Sequence, residues 1–169
     1  MDHTLVTFDE AGFRLVPVYK RVWFPKGEKP HGVFFWSNKK SNILGALIGG
    51  KEFYYKWHES LNTLTFLGFL KYLIKQLPEG KYVFIFDNAP YHKSSTILKF
   101  LQNLGDNIKT EFIPPYSPEL NPTETCWKII RQNVTNSTYF QSIERMQMEI
   151  DSFLTHHNFD LNPSNYLCR

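Results

Sequence analysis

Cysteine is scarce in this chain of 169 residues: Cys126 and Cys168 stand alone, and neither belongs to a CxxC pair. That argues against a disulfide framework and against a cysteine-built zinc site, and it suits a reducing compartment. Long hydrophobic runs are also missing, since none approaches the ~18 residues needed to cross a bilayer. The opening Met1-Asp2-His3 lacks the basic-then-apolar layout of a secretion signal, so a soluble protein of the cytoplasm is expected, with no membrane partner. Repeats, low-complexity tracts and flexible linkers are absent too.

What is present suffices for a core. Hydrophobic residues make up 42% of the chain and charged residues 21%, a balance that argues against intrinsic disorder. At roughly 100–200 residues per domain, one compact domain spanning 1–169 is expected. The net charge is only +3, but it is unevenly placed. From Arg14 to Lys56 nine basic residues, among them Lys20, Arg21, Lys26, Lys39 and Lys40, face only Glu28 and Glu52, while the remainder carries a deficit of four. A basic segment on a mildly acidic body suits a polyanion lying across one face; the plainer reading is lysines that discourage edge pairing of strands.

Hydrophobic patterning places strands first. Thr4 to Glu10 reads as a buried strand delivering Asp9 and Glu10 at its tip. Gly12 to Pro17, Arg21 to Pro25, Gly32 to Ser37, Ile43 to Ile48 and Glu52 to Trp57 read as further, antiparallel strands. The period then changes, with Leu61, Leu64, Leu67, Leu70, Ile74 and Leu77 marking an amphipathic helix closed by Pro78 and Gly80. Tyr82 to Phe86 reads as a central strand covered on both faces, with Asp87 at its carboxyl end. A helix from about His92 to Leu104, a strand from Thr110 to Ile113, a helix beginning near Asn121 and a final helix through Ile143, Met146, Ile150 and Phe153 complete the chain. The expected fold is α/β, a mixed sheet flanked by helices, with ligands gathering at the carboxyl ends of its parallel strands.

Three carboxylates stand at positions that such a fold can bring together: Asp9, Asp87 and Glu124. If their strands are adjacent and parallel, Asp9 and Asp87 lie about one strand spacing apart, ~4.8 Å. Like charges that close call for a cation, and an all-oxygen set suits Mg²⁺ or Mn²⁺. Two such ions ~3.5–4 Å apart can activate a nucleophile and stabilise the leaving oxygen of a phosphodiester. Taken singly, each acid has a plainer role. Asp9-Glu10 could be solubilising charge, Asp87-Asn88-Ala89-Pro90 an Asx turn, and Asn121-Pro122-Thr123-Glu124 a helix cap.

The flanking words decide between these readings. Asp87-Asn88-Ala89-Pro90-Tyr91-His92-Lys93, and the run from Pro114-Pro115-Tyr116-Ser117-Pro118 through Glu124 to Lys128, resemble the second and third acidic motifs of mariner-type DDE transposases, in their bacterial insertion-sequence branch. Phe8-Asp9-Glu10-Ala11-Gly12-Phe13 resembles the first, so the likeness runs to about Val134. The resemblance implies a ribonuclease H-like catalytic core with Asp9, Asp87 and Glu124 as catalytic residues and metal ligands, holding two Mg²⁺ or Mn²⁺. It implies cleavage at transposon ends and transfer of the freed 3′-hydroxyl into target DNA, with double-stranded DNA as partner and a homodimer when two ends are synapsed. The chain would then be nucleoid-associated if prokaryotic.

Departures from the family pattern bear on the site. The 36 residues between Asp87 and Glu124 slightly exceed the family's usual spacing, which keeps Glu119 in contention. Thr123 stands where a branched apolar residue is usual, a change expected to matter little. The helix-turn-helix region that normally precedes the first catalytic strand has no counterpart before Asp9, as an excised domain, a split reading frame or a decayed copy would have it.

Glu10, Asn88 and His92 are expected to support the acids, Asn88 by bonding Asp87 or by forming the turn. Trp127 is expected to pack its helix on the sheet and so aim Glu124. Lys93, Lys128 and Arg131 join the basic residues above as candidate DNA contacts. His156-His157 lacks further ligands and reads as surface or packed histidine. Two other functions remain open to the sequence: a DNA-binding or dimerisation remnant that no longer cuts, and a metal-free hydrolase using two carboxylates.

Overall fold

The structure, a computed structural model, describes residues 3–15, 25–27, 37–136 and 138–167. Strands β1 (Thr4–Arg14), β2 (Lys40–Ile48), β3 (Glu52–His58), β4 (Tyr82–Phe86) and β5 (Ile108–Phe112) form one sheet in the order β3-β2-β1-β4-β5. The β1–β2 and β2–β3 pairs are antiparallel; β1–β4 and β4–β5 are parallel. The helices are α1 (Thr63–Gln76), α2 (Ser95–Gln102), α3 (Pro122–Ile130), α4 (Ile143–His156) and the short α5 (Ser164–Leu167), with a π-helical turn at Arg131–Thr135.

Pleat alternation splits the core into two layers. On one face Val6, Phe8, Leu44, Ala46, Phe84 and Phe86 meet Phe66, Phe69, Leu70 and Leu73 of α1 and Ile97 of α2. The Phe8 ring lies 4.7 to 6.4 Å from those of Phe66, Phe69, Phe84 and Phe86, and burying one such side chain contributes about 1.5–3 kcal/mol. On the other face Ala11, Phe13 and Ile43 meet Trp127 and Ile130 of α3 and Met146 and Ile150 of α4. Both helical layers are fixed at their starts by capping. Asn62 accepts the Leu64 and Thr65 amides while Thr65 Oγ1 accepts the Asn62 amide, and Asn121 accepts the Thr123 amide with Pro122 in the first helical position.

The mixed sheet is the expected one, with three differences. The expected break after Glu10 does not occur: Gly12, Phe13 and Arg14 continue the ladder against Asn42, Ser41 and Lys40. Asp9 is therefore inside β1, opposite Gly45, and not at a strand end. The helix expected from His92 begins at Ser95, because Ser94 caps the Ile97 amide and the segment before it is turned around Asp87. Apart from their last residues, the expected strands Arg21 to Pro25 and Gly32 to Ser37 fall outside the described residues, as do Val16 and Pro17.

Candidate active site

Three elements deliver the three acids. The parallel pairing of β1 with β4 runs from Thr4↔Tyr82 to Thr7↔Ile85, and continued two residues further this register sets Asp9 level with Asp87. There β4 ends while β1 carries on, so Asp87 turns away just where Asp9 is held in the sheet. Helix α3 crosses the same region on the face of odd-numbered β1 residues, and its first turn carries Glu124. Asp9, Asp87 and Glu124 together line a cleft of about 340 Å³ that is closed on its other side by Ile113, Pro114, Tyr116 and Ser117.

The start of α3 is stitched to β1 by polar groups. Asn121 Nδ2 donates to the Phe8 carbonyl at 3.0 Å, and Thr123 Oγ1 lies 3.0 Å from the Thr7 carbonyl and 2.7 Å from Thr7 Oγ1. One turn on, the Trp127 indole N–H donates to Asp9 Oδ2 at 2.9 Å. Thr7, Thr123 and Trp127 are almost wholly buried. Thr123 thus matters more than its sequence position suggests: its hydroxyl joins helix to strand where a branched apolar side chain would leave Thr7 Oγ1 without this partner. Glu124 does not cap its helix. Asn121 performs that function, and the Asn121 amide is taken by the Pro118 carbonyl.

Asp87 is oriented by its own turn. Its Oδ1 accepts the Ala89 amide at 3.0 Å, the Asx bond anticipated from the sequence, and lies 2.6 Å from His92 Nδ1. The His92 ring, 1% exposed, is wedged 4.2 Å from Phe66 and 5.6 Å from Phe86. Asn88 does not bond Asp87. Its Nδ2 donates to the Ile113 carbonyl and its Oδ1 accepts from Lys93, so it ties the end of β4 to the end of β5.

Glu10 points to the opposite face from Asp9, as strand alternation demands. There it approaches Asp87 and His92, and these three are the trio among the described residues whose donor atoms lie within 4.8 Å of one another. Asp9, Asp87 and Glu124 are spread more widely around their cleft. His92 Nε2 is buried here without a hydrogen-bond partner, and the Glu10 carboxyl and the Tyr91 hydroxyl adjoin one another outside strict hydrogen-bond geometry.

Electrostatics set the acids apart. Burial first, and then the charges of Glu124, Glu10 and Asp87, push the Asp9 carboxyl well above the usual carboxylate range. Burial likewise raises Glu10. Burial would also raise Asp87, but the hydrogen bonds from His92 and the Ala89 amide, with the charge of Lys93, outweigh it and hold Asp87 below its ordinary value. One buried acid crowded by other carboxylates, and one stabilised as an anion, form a donor set of oxygens that a hard divalent cation would complete. By their chemistry these oxygens suit Mg²⁺ or Mn²⁺, although the donor atoms that lie within 4.8 Å of one another among the described residues are those of Glu10, Asp87 and His92, so Asp9 and Glu124 must draw nearer to Asp87 to share an ion.

The other candidates scatter. Glu119 lines a separate groove with Lys128, Thr125 and Asp160, away from the acid cleft. Arg131 lies over the Phe13 ring at 5.2 Å and Lys93 over the Phe112 ring at 5.1 Å. Lys39 and Lys40 border a third groove with His58 and Gln147. Lys26 is exposed; Lys20 and Arg21 lie outside the described residues. His156 is exposed with its Nδ1 on the Ser152 carbonyl, and His157 is half-buried and stacks on Phe153, so one is a surface and the other a packed histidine. The sequence reading missed Thr7, whose signal was a polar side chain inside the apolar run Leu5-Val6-Thr7-Phe8, where burial requires a partner.

A sheet in the order β3-β2-β1-β4-β5 with helices on both faces and acids at the β1–β4 junction is the ribonuclease H-like arrangement. The chain belongs to the DDE superfamily endonuclease family, whose model matches residues 4–147. A Shigella sonnei relative, the insertion element IS630 uncharacterized 39 kDa protein, is 24% identical over 155 residues, covering 90% of this chain and 45% of that protein. The uncharacterized protein y4pE/y4sA of Sinorhizobium fredii (strain NBRC 101917 / NGR234) is 34% identical over 74 residues, 44% of this chain and 46% of its own length. The chain thus spans about half the length of the curated relatives it matches. Among solved structures, the Mos1 transposase paired-end complex with left transposon end matches with a TM-score of 0.77 and 21% identity, over 96% of this chain and 51% of that one. Mos1 mariner paired-end complexes with Mn and with Mg share the fold at TM-scores of 0.71 and 20% identity, over 97% of this chain and 50% of theirs. These likenesses are of the mariner/IS630 type. Among the described residues, no helix is long and apolar enough to cross a membrane.

Proposed function

We propose that this chain is the catalytic domain of a transposase that cuts DNA at transposon ends and joins the freed 3′-hydroxyl to target DNA, with Asp9, Asp87 and Glu124 holding two Mg²⁺ or Mn²⁺. The observation that carries this reading is the convergence of the three acids, from β1, β4 and α3, on one cleft. When bound, a pair of divalent ions lowers the pKa of the attacking water or hydroxyl and stabilises the departing 3′-oxygen. The chain's own groups supply the positioning. Trp127 fixes one oxygen of Asp9, His92 and the Ala89 amide fix one of Asp87, and the cap of α3 fixes the backbone under Glu124. The partner is double-stranded DNA, held by two copies of the chain when two ends are brought together. The Mos1 complexes with a transposon end, with Mn and with Mg support both the partner and the ions.

The test is nicking of supercoiled or pre-nicked DNA in Mg²⁺ or Mn²⁺. Asp87→Asn and Glu124→Gln each abolish product while the thermal midpoint stays within a few degrees of the parent. Glu119→Gln retains activity. Full activity of the Asp87 or Glu124 variant sinks the proposal.

A further inference from the structure

Tyr116 is the only non-glycine residue with positive φ among the described residues, at 57°, and its exposure is 101%. A bulky side chain in the left-handed region strains the backbone, and an entirely exposed ring gains nothing from packing within the chain. Neither cost has a return inside this fold. Yet the segment is not slack. Its start is tied to the end of β4 by the Ile113 amide on the Phe86 carbonyl and by Asn88 Nδ2 on the Ile113 carbonyl. Its end is closed by the Leu120 amide on the Ser117 carbonyl and by the turn that leads into the Asn121 cap. Pro114, Pro115 and Pro118 restrict the chain between these anchors. Tyr116 therefore rides on the connection between Asp87 and Glu124, and its ring stands on the lip of the cleft that both acids line.

We infer that Tyr116 is a stacking platform for an unpaired or terminal nucleobase next to the phosphate that the acids act on. The inference rests on the function proposed above and deepens it by naming a base-contacting residue. The cleft's 340 Å³ is at the small end of ligand sites, ~300–1,000 Å³, and suits a single nucleotide unit rather than a duplex. A base inside a duplex offers only its edges to a side chain, whereas one outside the stack offers the face that an aromatic ring engages. Of the rest of the lining, Asp9, Asp87, Asn88, Asn121 and Glu124 are polar or acidic and suited to a cation-bridged phosphate, Ile113 and the prolines are aliphatic, and Tyr116 is the aromatic surface of the cleft.

The experiment uses the whole chain without Mg²⁺ or Mn²⁺, so that binding is read apart from chemistry. Fluorescence anisotropy compares a labelled ten-nucleotide oligodeoxyadenylate with an abasic oligomer of equal length, which keeps the phosphates and removes the bases. The parent chain and Tyr116→Phe bind the adenylate about 10-fold more tightly than the abasic strand, as expected of one base on one ring. Tyr116→Ala loses that factor on the adenylate and nothing on the abasic strand, with an unchanged thermal midpoint. Equal binding of the adenylate by Tyr116→Ala and the parent overturns the stacking assignment, as does an equal loss on both oligomers. A Tyr116→Ala change that alters the oligomeric state but not base dependence also overturns it, by assigning the ring to a second copy. A parent chain that binds neither strand also overturns it, and leaves the proposed function to the nicking test. Retained nicking by Asp87→Asn defeats the proposed function alone.

Discussion

The indole nitrogen of Trp127 lies 2.9 Å from Oδ2 of Asp9, across 118 residues of sequence and within the buried layer between β1 and α3. This bond gives an acid crowded by other carboxylates a fixed direction, and it couples the helix that carries Glu124 to the strand that carries Asp9. Trp127→Phe keeps most of the ring packing but removes the donor. A buried oxygen left unpaired costs about 1–3 kcal/mol, so the unfolding midpoint in denaturant falls accordingly. Nicking of supercoiled DNA falls by about 10- to 100-fold, because small displacements of a reacting group are expensive. A variant with parental activity would show that Asp9 is oriented by other contacts.

Gly45 is the Asp9 partner on β2, and the Trp127 ring lies directly over it. A Cβ at this position would come 2.6 Å from Trp127 Cη2 and 2.7 Å from Phe53 Cζ. Gly45→Ala therefore pushes the indole off its seat. Overpacking of this kind costs about 1–3 kcal/mol. The unfolding midpoint in denaturant and the nicking rate should fall together, whereas Gly68→Ala, exposed in α1 with nothing within 4 Å of the new Cβ, leaves nicking near the parent and stabilises by about 0.5–1 kcal/mol.

The Thr7–Thr123 pair makes a separate prediction. Thr123→Val strands the buried Thr7 hydroxyl and destabilises by about 1–2 kcal/mol, whereas Thr7→Val leaves the Thr123 hydroxyl its bond to the residue-7 carbonyl and costs less. The double variant replaces both hydroxyls with methyl groups and costs less than the sum of the two. A double-mutant cycle by urea unfolding reads this coupling, and strict additivity would mean that the hydroxyls do not act on one another.

Asp9 also gives the stability a pH dependence of definite sign. Burial and its acidic neighbours raise its folded pKa above the unfolded value. The stability tied to its neutral form is therefore complete below the unfolded pKa of ~3.9 and is lost as pH rises through the raised value. In chelator, Asp9→Asn melts at a higher temperature than the parent near neutral pH, and the two converge toward about pH 4. Added Mg²⁺ raises the parent's midpoint and not the variant's. A parent that remains the more stable protein near neutral pH in chelator would contradict the charge crowding described above.

Much of the architecture was legible from local pattern. The apolar run Tyr82 to Phe86 is β4 to the residue, Ile43 to Ile48 and Glu52 to Trp57 lie within β2 and β3, and Asn121-Pro122 starts α3 as capping chemistry requires. Those signals are short-range: a period of two or 3.6, a cap, a proline. The continuation of β1 through Gly12 was not legible, because its ladder partner Asn42 comes from a strand thirty residues on. The path of a proline-rich loop sets Glu124, and not Glu119, on the acid cleft, and no local pattern foretells that path. Glu10 faces away from Asp9 although the two are neighbours in sequence, since adjacent strand residues point to opposite sides.

The amino-acid order by itself determined where most strands and helices form, because propensity and periodicity are properties of neighbouring residues, and its motifs singled out three acids to examine. Only the tertiary structure decided that Trp127 donates to Asp9, that Thr123 clasps Thr7, and that Tyr116 stands at the lip of the acid cleft. A buried polar atom takes whatever donor or acceptor the folded chain sets within about 3 Å of it, and across more than a hundred residues that partner is fixed by packing alone.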